Sequence, residues 1–210
     1  MNAFHEIDLK NWNRLSKFRY YRQFENQLFN ITLQANAGAL FRFARERRRS
    51  FFLMTLFAIL KALNQVPEMR RRITEEERVI EFEHVAALTT IMTAGEEFTM
   101  ALTEYADRFD EFLVRAAPAV EAAKQGKFDP EVRKRNDYIC ASCVPWYGFS
   151  ALSQAALSLK QSIVILAWGK MNDDGMIPIS LQLNHALVDG IHVGHFLKFT
   201  EENFSHPERL

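Results

Sequence analysis

The stretch that decides the fold is Ile177-Pro178-Ile179-Ser180-Leu181-Gln182-Leu183-Asn184-His185-Ala186-Leu187-Val188-Asp189-Gly190-Ile191-His192-Val193-Gly194-His195-Phe196. Its first half alternates. Ile177, Ile179, Leu181, Leu183 and His185 share one side, and Ser180, Gln182 and Asn184 the other, which is the period of a β-strand. Asn172-Asp173-Asp174-Gly175, just upstream, is a hairpin-turn sequence, and the nearly continuous apolar run Ser162 to Trp168 supplies its other strand. Beyond Gly190 the period changes, and Val193, Phe196, Leu197, Thr200 and Phe204 recur at helical spacing. His185 therefore ends a strand on its apolar side, at a strand-to-helix junction. Gly190 permits a tight turn there, and Asp189 can bond the turn or cap the helix.

An imidazole fixed at such a junction can act as a general base near neutral pH. On its own it reads more readily as a core histidine with satisfied bonds. A metal reading through Asp189, His192 and His195 is weaker. His-x-x-His does not match the i, i+4 pairs of zinc-binding helices, and no further ligand follows, so no metal is expected.

Outward from this segment, Leu28 to Gln34 alternates as a half-buried strand, with Phe29, Ile31 and Leu33 on one face. Ser50 is placed to cap a helix over Phe51 to Asn64, whose Leu53, Leu56, Phe57, Leu60 and Leu63 keep helical spacing. Glu6 to Leu9, Val79 to Phe82, Ala87 to Met92 and Ile139 to Val144 read as strands. Lys17 to Gln23 reads as a helical turn, Ala39 to Arg49 as a helix with a solvated basic end, and Gln125 to Asn136 as a surface loop. Glu97 to Ala123 reads as one long helix broken near Pro118. Strands and helices interleave, with no repeat or linker. The expected fold is a two-layer α/β (α+β) sandwich, a mixed and largely antiparallel sheet packed with helices, in a single domain over 1–210.

Composition narrows the function classes. The chain has 210 residues, 48% of them hydrophobic, enough for a sizeable core. Its 26 basic and 26 acidic side chains leave a net charge of +0, which offers neither nucleic acid nor a membrane surface a basic face. No signal peptide or spanning segment is visible, and a cytoplasmic protein is expected. Cys140 and Cys143 form a lone C-x-x-C in an apolar run and read as reduced, partly buried thiols. No G-x-S-x-G elbow, phosphate loop or dinucleotide fingerprint is present. Ser150 and Ser153 read either as ordinary loop serines or as hydroxyl donors near the histidine. Tyr20 and Tyr21, just before the Phe29 strand, can line a pocket for an amphipathic substrate.

His185-x-x-x-Asp189-Gly190-Ile191-His192-Val193-Gly194, Trp12-x-Arg14-x-x-x-Phe18, Asn64-Gln65-Val66-Pro67-Glu68-Met69-Arg70 and Pro145-Trp146 together resemble the chloramphenicol acetyltransferase family. The His-Asp-Gly signature alone is shared with dihydrolipoyl acyltransferase cores. The spread of matches, from residue 6 to about residue 200, makes the resemblance more specific. It implies a trimer with active sites between subunits, acetyl-CoA as co-substrate and chloramphenicol as acceptor. His185 would be the general base, Asp189 with Arg14 would hold its turn, and Tyr20, Tyr21 and Phe29 would bind substrate. One departure stands out. The family serine that bonds the oxyanion falls on Ala151, so Ser150, through a backbone shift, or a different donor would have to substitute. The Ala167-Trp168-Gly169 strand also lacks the family's threonine. A different small alcohol as acceptor, or a weakened CoA-binding homologue, follows from those departures.

Overall fold

The computed structural model describes residues 2–210. In chain order the elements are β1 (Phe4–Glu6), α1 (Leu15–Tyr21), β2 (Leu28–Asn36), α2 (Gly38–Glu46), α3 (Phe51–Asn64), α4 (Pro67–Arg70), β3 (Arg71–Ile73), β4 (Val79–Phe82), β5 (Ala86–Met92), β6 (Phe98–Thr103), α5 (Phe109–Lys124), β7 (Tyr138–Val144), β8 (Ile165–Gly169), β9 (Met176–Asn184) and α6 (Gly190–Ser205). Six strands form the main sheet in the order β2-β9-β8-β7-β5-β6. The pairings β2–β9, β8–β9 and β5–β6 are antiparallel, and β5–β7 and β7–β8 are parallel. A small antiparallel sheet, β1-β4-β3, stands beside it. The fold is the expected α+β sandwich with a mixed, largely antiparallel sheet.

One face of the main sheet carries the helices. Odd-numbered residues of β9 (Ile177, Ile179, Leu181, Leu183) and of β7 (Ile139, Ala141) join α3, α5 and α6 in the large core. At the centre lies α3, buried nearly all round, with Leu56, Phe57, Leu60 and Leu63 fully out of solvent. Each such side chain contributes about 1.5–3 kcal/mol of transfer free energy. Its start is fixed as the sequence predicts, with Leu53 N–H donating to Ser50 Oγ at 3.3 Å. The other face of β9 is polar yet also buried. Ser180 Oγ donates to Leu152 O at 2.6 Å, and Asn184 Nδ2 donates to Lys160 O and Gln161 O. A loop, not a helix layer, covers that face.

The stretch from Glu97 to Ala123 corrects the sequence reading. Its first part is a strand, β6, and only Phe109–Lys124 is helical. Phe98, Met100 and Leu102 alternate with Thr99, Ala101 and Thr103 across a turn in which Gly95 and Glu96 both have positive φ, 83° and 63°. That turn closes β6 onto β5 with Thr93 N–H bonded to Glu97 O. Pro118 does not break α5. The carbonyl it leaves free belongs to Val114, whose side chain is 75% exposed, so water can take the missing donor's place. The last sheet strand before the hairpin is shorter than expected, beginning at Ile165 rather than Ser162.

Candidate active site

His185 follows directly on β9. Its N–H donates to Gln27 O at 2.8 Å, which extends the ladder by one bond. The imidazole lies parallel to the Tyr21 ring, with centroids 4.1 Å apart and planes at 9°, and is backed by Phe29 at 4.5 Å. Tyr21 is set by α1 and Phe29 by the inward face of β2, paired with Leu183. Two of the three aromatic residues singled out from the sequence thus grip the histidine ring. Tyr20 packs edge-on against Tyr21 at 5.2 Å and is 57% exposed, so it flanks the corner without touching the imidazole stack.

The backbone of the corner is clamped by Arg14. Its guanidinium, nearly buried, donates from Nε to Ala186 O at 2.9 Å and from Nη2 to His185 O at 2.8 Å. The same fork makes a bidentate pair with the Asp189 carboxylate. Hydrogen bonding from Arg14 holds the Asp189 carboxyl below the usual carboxylate range, against the opposing effect of burial. Four hydrogen bonds from one guanidinium therefore converge on one turn of chain, which fixes the position from which the imidazole projects. His185 Nδ1 is closed off from solvent, with Asp189 Oδ1 3.3 Å away but outside hydrogen-bond geometry. A carboxylate on that side favours the tautomer with its proton on Nδ1. Nε2, bonded to nothing among the described residues, is then the free acceptor.

A second region lies at the far edge of the sheet. An apolar cavity of about 540 Å³ opens between the start of α3, the end of α5 and the ends of β5 and β7; Phe52, Met92, Val120, Cys143 and Trp146 line it, with Lys124 at its rim. It shares Thr90, Met92, Cys143 and Trp146 with a neighbouring hollow of about 320 Å³ that Phe98 and Ser142 complete, so the two make one trough. Thr90 and Ser142 hydroxyls meet at 3.0 Å on its floor. Phe98, Trp146 and Tyr147 stand 64%, 61% and 57% exposed around it. The size and apolar lining suit a small-molecule cleft.

Ser150 lies exposed on the segment that follows Trp146. Phe149 anchors this segment against Gly169, where a Cβ would come within 2.9 Å of the Phe149 ring and 2.7 Å of Pro178. Leu152 is tied to Ser180, five residues before His185 along β9, a span of about 17 Å at 3.4 Å per residue. Within one chain the structure therefore does not bring Ser150 to the imidazole. It brings together His185, Asp189, Arg14, Tyr21 and Phe29, with Tyr20 beside them. The trough was missed from sequence, because its walls are separated by up to about a hundred residues and meet only through the parallel β5–β7 pairing. His192 was also undervalued there. It is half-buried and caps α6, with Nδ1 accepting from Asp189 N–H at 2.8 Å.

Cys140 and Cys143 are free, half-buried and on opposite faces of β7. Burial pushes the Cys143 thiol up to about 11, which favours the protonated thiol near neutral pH. Among the described residues no three His, Cys, Asp or Glu side chains come together as metal ligands. No described helix is long and apolar enough to cross a membrane.

The fold is shared with known proteins. A solved chloramphenicol acetyltransferase structure superposes with a TM-score of 0.88 at 27% identity, covering 95% of this chain and 99% of that one. The dihydrolipoamide acetyltransferase of Azotobacter vinelandii superposes at 0.71 with 15% identity, over 92% and 87% of the two chains, a likeness of fold. In sequence, chloramphenicol acetyltransferase 3 of Escherichia coli is 24% identical over 202 residues, 94% of this chain and 95% of its own length. The enzyme of Staphylococcus aureus is 24% identical over 210 residues, 97% of each chain. The family model for chloramphenicol acetyltransferase matches residues 1–200, so the chain is an acyltransferase that belongs to the chloramphenicol acetyltransferase family.

Proposed function

We propose that the protein transfers an acetyl group from acetyl-CoA to a hydroxyl of chloramphenicol, with His185 as general base. The observation that carries the reading is the imidazole itself: stacked on Tyr21, pinned through Arg14, and open only at Nε2. Nε2 takes the proton of the acceptor hydroxyl as its oxygen attacks the thioester carbonyl. The carbon–sulfur bond breaks, and the proton passes to the departing thiolate. Holding both substrates in one cleft and supplying the base are each worth orders of magnitude.

The apolar trough is a suitable seat for substrate, but it sits on the opposite edge of the sheet from the histidine of its own chain. A homotrimer, in which His185 of one copy faces the trough of the next, resolves that separation. Exposed Phe98, Trp146 and Tyr147 and the fully exposed Leu157 favour such a contact. In that arrangement Ser150, exposed on the segment that follows Trp146 of the trough, is the donor to the carbonyl oxygen as negative charge develops on it. Ala151 at the family's serine position favours a second reading, a different small alcohol as acceptor.

The test mixes protein, acetyl-CoA and chloramphenicol with a thiol reagent that reports CoA release. Wild-type protein is expected to release CoA on the order of 10²- to 10⁴-fold faster than His185→Ala. Release no faster than the variant's with chloramphenicol, but faster with another alcohol, would move the protein to the second reading. No release with any alcohol would overturn both.

A further inference from the structure

We propose that His192 is a positioning residue for the base, and that it works only as a neutral imidazole. The inference rests on His185 being that base, and it goes beyond that role to a second histidine with a separate task. His192 is the third residue of α6, where a Glu or Gln side chain commonly reaches back to the N-cap N–H. Here the ring does so, Nδ1 accepting from Asp189 N–H at 2.8 Å. The reciprocal half of the box, the Asp189 carboxylate towards the His192 main-chain N–H, is present as well, and the same carboxylate takes the Arg14 guanidinium. The His192 main-chain N–H also lies 3.0 Å from the Asp189 main-chain oxygen. The main chain of Asp189 is thus held by His192, and its side chain by Arg14. Arg14 in turn holds the carbonyls of His185 and Ala186.

An acceptor nitrogen cannot carry a proton. Once Nδ1 is protonated it faces the Asp189 N–H donor to donor, the bond is lost, and the clamp on His185 loosens. The surroundings keep the ring neutral. Glu68 of α4 lies 4.0 Å from Nε2, Arg71 of β3 is paired with Glu68 at 2.9 Å, and Arg14 and Lys17 line the same cleft. Burial holds the imidazole below the ordinary histidine range, and Arg14 and Arg71 act in the same sense. The Glu68 and Asp189 carboxylates act against it. The sign follows: with the folded value depressed, the unfolded chain binds more protons. The contribution to stability is complete above the ordinary histidine range, about pH 6.5, and is lost as pH falls through the folded value.

Two variants and two readouts test this. His192→Gln supplies a capping acceptor that does not titrate, and His192→Leu supplies none. Across about pH 5 to 8.5, log(kcat/KM) of the wild type is expected to fall more steeply on the acid side than that of His192→Gln, by up to about one further decade, the tenfold that loss of the cap costs. His192→Leu is expected to lose on the order of tenfold in kcat at every pH, with KM little moved, and the glutamine to restore most of it. Thermal unfolding over the same range gives a readout independent of turnover. The wild-type Tm should fall more steeply than that of His192→Gln below about pH 6.5. Superimposable pH–rate profiles would overturn the positioning role, and parallel Tm curves would overturn the neutral cap. Absence of acetyl transfer by the wild type would instead sink the base assignment, and the Tm comparison would still decide whether the cap titrates.

Discussion

The His185 corner and the trough at the far edge of the sheet are built by different means. The corner is held by directional bonds. One guanidinium satisfies two carbonyls and a carboxylate, two rings fix the plane of a third, and a histidine pins the next turn. The trough is walled by apolar and aromatic side chains that stand partly in solvent, with the Thr90–Ser142 hydroxyl pair on its floor and a lone exposed Lys124–Glu121 contact at its rim. A proton-transfer group must be right in angle as well as place, so its support is polar and redundant. A surface that receives an apolar molecule needs shape and area, which packing alone supplies.

If that contrast is right, damage to the corner should cost more than damage to the trough. Arg14→Ala is expected to be the most harmful change, since it leaves Asp189 unpaired and two turn carbonyls without donors. Chemical denaturation should show a loss of about 3–5 kcal/mol, with activity lost alongside. Next comes Ser150→Ala, which, with Ser150 as the proposed donor, is expected to act on chemistry and not on folding. Removal of an oxyanion donor lowers kcat about 10²- to 10³-fold, and steady-state kinetics with an unshifted Tm would separate it from Arg14→Ala. An unchanged kcat would show that the donor lies elsewhere. The smallest effect belongs to Trp146→Ala. Its exposed ring gives contact area alone, so KM should rise about tenfold, equivalent to 1.4 kcal/mol, while kcat and Tm stay near wild type. A fall in kcat larger than the rise in KM would put Trp146 in contact with the reacting atoms and break the contrast.

Legibility in the sequence follows the same division. The corner was open to reading because its parts are local or strongly typed. The alternation of Ile177 to Leu183, the Asn172–Gly175 turn and the Asp189-Gly190 junction place His185 within one stretch, and β9 and α6 form where that stretch predicts. Arg14 is 175 residues from Asp189 in the chain, yet the Trp12-Arg14-Phe18 pattern points to it. The trough had no such marker. Phe98 was read into a helix, because Glu97 to Ala123 contains many good helix formers, and the two-residue positive-φ turn at Gly95 and Glu96 outweighed them. With β6 unseen, the sheet edge that carries Met92, Phe98 and Trp146 could not be assembled. His192 was read as an ordinary helix residue because a histidine is a rare choice for that cap, and the Asp-Gly-x-His spacing carries no general capping signal.

The parallel stack of His185 on Tyr21, with Phe29 behind, has a spectroscopic consequence. Carbon-bound protons of an imidazole held over aromatic faces lie in the shielding cones of those rings. The His185 signals should therefore stand upfield of those from the exposed His195. The proposed base would then identify itself in a proton spectrum of the unlabelled protein, and loss of that shielding in Tyr21→Leu would report the moment the ring is no longer held flat.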